Sequence, residues 1–299
     1  MNKGDNIMLT VTPLAPEFGA RIEGADLRRP LADPEFTIIE AAINRFGVLV
    51  IPGQDIDDEQ QMEFGRRFGP IEQTRAVVDV HKQRLANGAM NDISNLDEKG
   101  QILAADDRRR FFNLGNRLWH SDSSFKATPA KHSLLHARSI PPNGGETEFA
   151  DMRSAWAALP EAMQTQLRDL ICDHSLIFSR ALLGFAEWTE AERRQFAPVP
   201  QRLVRRHAGS GRMSLFLSSH IGRIQGMAPP EALMLIRDLV EHATQRQFVY
   251  QHQWAVGDLV MWDNRCTMHR GRGYDDKIHK RDMRRVTLSD VAPTLEQAA

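Results

Sequence analysis

Phe248-Val249-Tyr250-Gln251-His252-Gln253-Trp254, a Gly257-Asp258 turn, then Leu259-Val260-Met261-Trp262-Asp263: this stretch decides the fold class. Aromatic rings recur at every second position of the first run, and a glycine turn separates it from a short apolar second run. Both read as strands of a sheet. The period-two reading returns in residues 133–140, 201–207, 214–218 and 285–290, set apart by Gly, Pro and Asn turns. Helical spacing lies outside these runs. Residues 34–46 place Phe36, Ile39, Ile43 and Phe46 on one stripe, with Asp33 as N-cap, Pro34 in the first turn and Gly47 as a left-handed stop. Residues 48–51 form a buried strand ended by Pro52-Gly53. A second helix starts at Asp57, with Gln60 in capping-box position, and stops at Gly69-Pro70. Further helices are expected over 160–172 and 230–243. Residues 92–112 are polar and aperiodic, hence a mobile loop; 178–200 is a connection long enough to be a lid. Many antiparallel strands with a few helices outside them predict an α+β fold built on a sandwich or jelly-roll barrel.

The chain has 299 residues and a net charge of −1. Length is compatible with one domain over 1–299, able to bury about three quarters of its unfolded surface without disulfides. The cysteines, Cys172 and Cys266, are too few for a disulfide framework and suit a reducing compartment. The start, MNKGDNIMLT, lacks the apolar segment of a signal peptide, and no run is long enough to span a bilayer. A cytoplasmic protein without membrane or nucleic-acid partners is expected. The basic cluster Arg108, Arg109, Arg110 reads as a solvated face.

The chemistry concentrates in Leu118-Trp119-His120-Ser121-Asp122-Ser123-Ser124-Phe125. A His-x-Asp pair on a strand puts both side chains on one face, where an imidazole and a carboxylate can take adjacent positions on a divalent metal. Alone the pair is weak, and a surface hydrogen bond explains it as well. His269, after the strand 259–263, is the best third ligand. Two histidines and one carboxylate make the facial triad of non-haem Fe(II) oxygenases, and common zinc signatures are absent. Arg281 and Arg285 follow. A 2-oxoglutarate co-substrate needs an always-charged, bidentate partner for its distal carboxylate, which a guanidinium supplies, and Thr147 offers a hydroxyl nearby in Gly144-Gly145-Glu146-Thr147. The plainer alternatives are a turn hydroxyl for Thr147 and a strand-surface charge for Arg285. The remaining histidines read as structural, with His207 a candidate to face the pocket. Trp119, Trp262 and Cys266 read as packed residues, and Asp263 with Arg265 as an ion pair.

Taken together these segments resemble the taurine/2,4-D dioxygenase family. Phe46-Gly47-Val48-Leu49-Val50-Ile51-Pro52-Gly53-Gln54, Phe64-Gly65-Arg66-Arg67-Phe68-Gly69-Pro70, Trp119-His120-Ser121-Asp122, Gly144-Gly145-Glu146-Thr147 and Trp262-Asp263-Asn264-Arg265 through His269 occur in the family's order. The resemblance implies a double-stranded β-helix (jelly-roll) core with flanking helices. It implies Fe(II) on His120, Asp122 and His269, 2-oxoglutarate on Thr147 and Arg281, O2 as oxidant, and a small anionic substrate touched by Asn116 and Arg285. The segment after His269 is one residue longer than in close relatives, which leaves Lys280 and Arg284 as alternative cations, and residues 73–89 match poorly. The implied reaction hydroxylates an aryloxyacetate such as 2,4-dichlorophenoxyacetate to a hemiacetal that collapses to a phenol and glyoxylate, with succinate and CO2 formed from 2-oxoglutarate. Leu182, Leu183, Phe185 and Trp188 are expected to line the ring's side of the pocket. Taurine, another sulfonate or another carboxylate is the alternative substrate, a non-catalytic metal-binding or sensing barrel the alternative function. Homo-oligomerisation stays open.

Overall fold

Helix α1 (Asp33–Phe46) ends at Gly47, whose φ of +70° turns the chain straight into a buried strand. A side chain there would enter the left-handed region at a cost, and its Cβ would lie 3.1 Å from Arg153 Nη2 and 3.3 Å from Cys266 Sγ. The N-cap is Ala32 rather than Asp33, because the Glu35 carboxylate accepts the Ala32 N–H at 2.8 Å and so caps that end in its place. Helix α2 (Asp58–Arg66) has the expected capping box: Asp57 accepts from Gln60 N–H and Gln60 from Asp57 N–H.

The computed structural model describes residues 9–73, 84–85 and 87–297; most of the poorly matching 73–89 stretch lies outside them. The strands are β1 (Thr10–Pro13), β2 (Ala20–Glu23), β3 (Val48–Ile51), β4 (Met90–Ser94), β5 (Ala130–Ser139), β6 (Thr147–Asp151), β7 (Ile171–His174), β8 (Val199–Arg202), β9 (Val204–Arg206), β10 (Met213–Leu215), β11 (Ile221–Ile224), β12 (Val249–His252), β13 (Leu259–Asp263), β14 (Thr267–Gly271) and β15 (Asp282–Ser289). The remaining α-helices are α3 (Arg108–Asn113), α4 (Met152–Ala157), α5 (Glu161–Leu167), α6 (Leu176–Ala181), α7 (Glu190–Gln195) and α8 (Pro229–Ala243).

A seven-stranded sheet runs β1-β2-β3-β13-β5-β15-β4, antiparallel except where β2 meets β3. A three-stranded sheet, β12-β6-β14, packs on it. Val48, Val50, Leu135, Val260 and Met283 of the large sheet meet Phe149 of the small one in a shared cluster with Trp262. Their sequence neighbours Leu49, Ile51, Leu134, Met261 and Val286 point to the other face and pack under α1 and α2 with Ile39, Ile43, Met62 and Phe64. A strand buried on both faces reads as a continuous apolar run, which is why residues 48–51 are apolar throughout. A third cluster, around Met152, Trp156, Leu215 and Leu239, joins α4, β10 and α8 beyond the small sheet. Among the described residues no helix is long and apolar enough to cross a membrane.

Several elements differ from expectation for identifiable reasons. The helix read over 160–172 stops at Leu167, since Ile171 and Cys172 are taken by β7, which pairs with β8 and β11. The 201–207 run is cut at Leu203, whose backbone bonds Leu170 and Phe216 instead of continuing a ladder. Residues 92–112, read as a mobile loop, contain most of β4, a Leu96–Ile102 bridge and the start of α3, where Asp107 accepts from Arg109 N–H. The arginines of that stretch are paired: Arg108 with Glu192, Arg109 with Asp107, Arg110 with Asp276.

Candidate active site

Strand pairing brings the two histidines together. The backbones of His120 and His269 form an isolated antiparallel bridge, N–H to O at 3.0 and 2.8 Å, which sets their rings 4.2 Å apart. Two residues on from His120, Asp122 returns to the same side, and Ser123 follows with φ of +51°. His120 Nε2 lies 3.8 Å from Asp122 Oδ1 and His269 Nε2 lies 3.7 Å from Asp122 Oδ2. All three side chains are buried, and one ligand atom from each falls within 4.8 Å of the others.

The surrounding groups prepare these residues for a cation. Leu118 O sits 2.7 Å from His120 Nδ1, so the ring proton stays there and the Nε2 lone pair faces the centre. Burial keeps both imidazoles neutral by lowering their pKa, His269 most strongly. Burial alone would raise the Asp122 carboxyl, but the adjacent Arg285 guanidinium, foremost among the opposing groups, outweighs it and the carboxyl stays at about 2. Asp122 Oδ2 accepts from Ser133 Oγ at 2.7 Å and Oδ1 from Arg285 Nη1 at 2.6 Å. Asn264 completes the frame: its Oδ1 accepts from Asp122 N–H and Trp262 Nε1–H, each at 3.0 Å, while its Nδ2 donates to Ser133. Two neutral imidazoles and an ionised carboxylate on one side of a buried centre fit a divalent metal with open positions.

Two cavities meet at this triad. The smaller, about 120 Å³, is lined by His120, His269, Thr147, Asn95, Tyr274 and Arg281. Thr147 lies on β6 two residues from Phe149, the ladder partner of His269, and its hydroxyl accepts from Trp254 Nε1–H at 3.0 Å. Arg281 is fixed through its backbone N–H to Asn95 Oδ1 at 2.9 Å and through Nη2 to Gly145 O at 3.3 Å. No carboxylate pairs with it among the described residues, and burial lowers its pKa. The larger cavity, about 330 Å³, opens on His120 and Asp122 and has an apolar wall of Phe112, Phe125, Leu176 and Phe196. Asn116 and Arg285 line both.

Other sequence expectations resolve differently. Lys280 turns out to donate to Gly100 O, and Arg284 pairs with Asp282 and Asp58, so neither lines the two cavities. His207 does not face them: it bonds Asp263 and Ser210 inside the protein. Asp263 does pair with Arg265, at 2.5 Å. His207, Asp263 and Cys266 are close enough to suggest a second metal cluster. The carboxylate is already committed to Arg265, His132 and His207, and burial pushes the Cys266 thiol up to about 12. Cys266 is a packed residue there. The lid residues are also rearranged. Leu182 is 69 % exposed, while Phe185 and Trp188 meet Phe112 edge-on behind the cavity, and Trp188 also meets Phe196. The wall thus has the expected apolar character from different side chains. Ser133, Asn264 and Arg180 had no role assigned from the sequence, and His220, read as structural with the other histidines, lines the larger cavity. Asn264 sits inside the Trp-Asp-Asn-Arg motif, but its role needs a fold to be seen.

The family model described as taurine catabolism dioxygenase TauD, TfdA family matches residues 10–287. The chain is 45% identical over 284 residues to an alpha-ketoglutarate-dependent 2,4-dichlorophenoxyacetate dioxygenase of Cupriavidus pinatubonensis, covering 95% of this chain and 99% of that one. It is 35% identical over 273 residues to an (S)-phenoxypropionate/alpha-ketoglutarate dioxygenase of Sphingobium herbicidovorans, covering 89% and 90%. Among solved structures it superposes on AAD-2 in complex with Mn(II) and N-oxalylglycine with a TM-score of 0.93 and 51% identity, covering 96% of this chain and 99% of that one. With the family's matched segment spanning nearly the whole chain and its triad assembled, this protein belongs to the TauD/TfdA family of dioxygenases.

Proposed function

We propose that this protein is an Fe(II)- and 2-oxoglutarate-dependent dioxygenase that hydroxylates an aryloxyacetate such as 2,4-dichlorophenoxyacetate, releasing a phenol and glyoxylate. The observation that carries this reading is the pair of unequal cavities meeting at His120, Asp122 and His269. The smaller is polar at its far end and ends on a guanidinium without a carboxylate; the larger is apolar on one wall and cationic on another. In this reading the two sheets form a jelly-roll, a single catalytic domain spans 1–299, and the enzyme works in the cytoplasm on a small anion without nucleic-acid or membrane partners.

His120, Asp122 and His269 hold the iron. When bound, it supplies the coupling of O2 reduction to decarboxylation of 2-oxoglutarate, giving succinate and CO2. Arg281 and Thr147 hold the distal carboxylate of 2-oxoglutarate. The Trp254 N–H occupies a lone pair of the Thr147 hydroxyl, so that hydroxyl is free to donate its proton to the carboxylate. Ser133 and Arg285 keep the Asp122 carboxylate ionised and aimed. Asn116 and Arg285, at the junction of the cavities, orient the substrate. Phe112, Phe125, Leu176 and Phe196 receive its ring and exclude water. The same wall disfavours taurine, whose ammonium would lose hydration there without a partner.

The test is succinate formation from 2-oxoglutarate and Fe(II), with phenol release followed over phenoxyacetates and taurine under identical conditions. Phenol from the former with higher kcat/KM than any turnover of taurine is expected. Preference for taurine would move the assignment to sulfonates; no succinate with any substrate would favour a binding protein.

A further inference from the structure

Arg180, on α6, stands out among the cations around the larger cavity. It is 5 % exposed and lines that cavity together with His120, Asp122 and His220. Its Nη1 donates to Ser179 Oγ at 3.1 Å, its Cζ lies 4.3 Å from the centre of the Phe112 ring, and its Nε has no partner. No carboxylate pairs with it among the described residues. Burial drops its pKa to about 10 with nothing opposing the fall. The neighbouring cations differ. Arg285 gives Nη1 to Asp122, Lys126 pairs with Glu72, and Arg84 with Asp92 and Asp282. The fold also reserves the space: a Cβ on Gly115 would lie 2.1 Å from Arg180 Cζ, so the guanidinium occupies room that only glycine leaves. A buried charge without a counter-ion is costly, and a bound anion removes that cost.

We propose that Arg180 binds the substrate's carboxylate, making it the specificity-determining residue that selects anionic over neutral aryl ethers. The proposal rests on the aryloxyacetate reading above and adds a contact to it. Arg285 already shares its charge with a metal-binding carboxylate, which leaves Arg180 as the stronger attractor. Its position also has a steric consequence. Phe112 covers one face of the guanidinium and Gly115 is packed against it, which confines Arg180 at the wall of the cavity it lines. Ser179, which accepts from Arg180, also bonds His220 Nδ1 at 2.9 Å, tying the arginine to the imidazole on the cavity wall.

The experiment measures phenoxyacetate and methyl phenoxyacetate binding by calorimetry to the Mn(II)-loaded, 2-oxoglutarate-saturated enzyme, wild type against Arg180→Gln and Arg180→Lys. Expected is a loss of about thirtyfold or more in phenoxyacetate affinity for Arg180→Gln, a smaller loss for Arg180→Lys, and ester binding within about threefold in all. The affinity for 2-oxoglutarate, held in the other cavity, stays unchanged and shows that the variants are folded. If Arg180→Gln does not fold, Arg180→Lys alone decides, because an ammonium cannot reproduce the guanidinium fork. Wild-type binding of phenoxyacetate that both variants match overturns the role of Arg180 and leaves the substrate reading intact. Wild type that binds no phenoxyacetate overturns both.

Discussion

At the scale of single residues, the candidate metal ligands His120, Asp122 and His269 were legible from their types and spacing, although the strand read for the His-x-Asp pair is reduced to the His120–His269 bridge, with Asp122 in the turn that follows. Arg281 and Thr147 were legible as residue types, while their juxtaposition required the fold. Arg180 falls in the 178–200 connection, where nothing in the sequence separates a buried arginine from a solvated one. The clamp role proposed for Arg281 gives a direct prediction. Removing one side of a desolvated, bidentate charge pair costs roughly 2–5 kcal/mol. Arg281→Ala should therefore raise the 2-oxoglutarate requirement some tens- to thousands-fold, with much less change in the requirement for the aryl substrate. Initial rates titrated against each substrate in turn check this. An unchanged oxoglutarate requirement would remove Arg281 from the role, since Lys280 and Arg284 are engaged elsewhere.

At the scale of elements, both ends of α1 and the start of α2 survived to within a residue, because caps and glycine stops act within one turn, whereas α2 ends at Arg66, short of the Gly69-Pro70 stop. The 160–172 and 201–207 readings failed where partners distant in sequence, β11 and Phe216, claimed the backbone. On β15 the alternation holds: Met283 and Arg285 face inward, Arg284, Val286 and Leu288 outward. This separates the cavity arginine from its neighbour in a way that composition cannot. The two helix-end devices should differ in worth. Asp57→Ala removes one cap and should cost about 1 kcal/mol. Gly47→Ala forces a left-handed alanine, about 1–2 kcal/mol, and also presses its Cβ on Arg153 and Cys266, so it should cost more. Urea midpoints at constant m-value measure both, and an equal or smaller loss for Gly47→Ala would show that α1 can end another way.

At the scale of the molecule, the sheets, the layers and the helices over the outer face follow from alternation and from runs buried on both sides. The two cavities do not, since no segment owns either. The triad joins segments from residue 120 to residue 269 and exists only in the folded chain, so metal and co-substrate should stabilise the whole protein. Ligand at about a hundred times its Kd contributes about 2.7 kcal/mol, which for a chain of this length raises Tm by about 4 °C. Mn(II) with 2-oxoglutarate should give such a shift in a thermal melt, and His269→Ala should abolish it. A shift that persists in the variant would place the metal elsewhere.

Strand β5 lies in the interior of the large sheet, hydrogen-bonded on one side to β13 and on the other to β15. During translation both neighbours are late. The ribosome finishes β5 at Ser139, and the first residue of β13, Leu259, follows 120 positions afterwards (259 − 139). At about 5–20 residues per second that is roughly 6–24 s. Through that interval the nascent chain carries this 10-residue strand with both edges bare, the condition that invites strand exchange between neighbouring chains. Chains that stall or are truncated before residue 259 keep β5 open indefinitely and are the aggregation-prone products of synthesis.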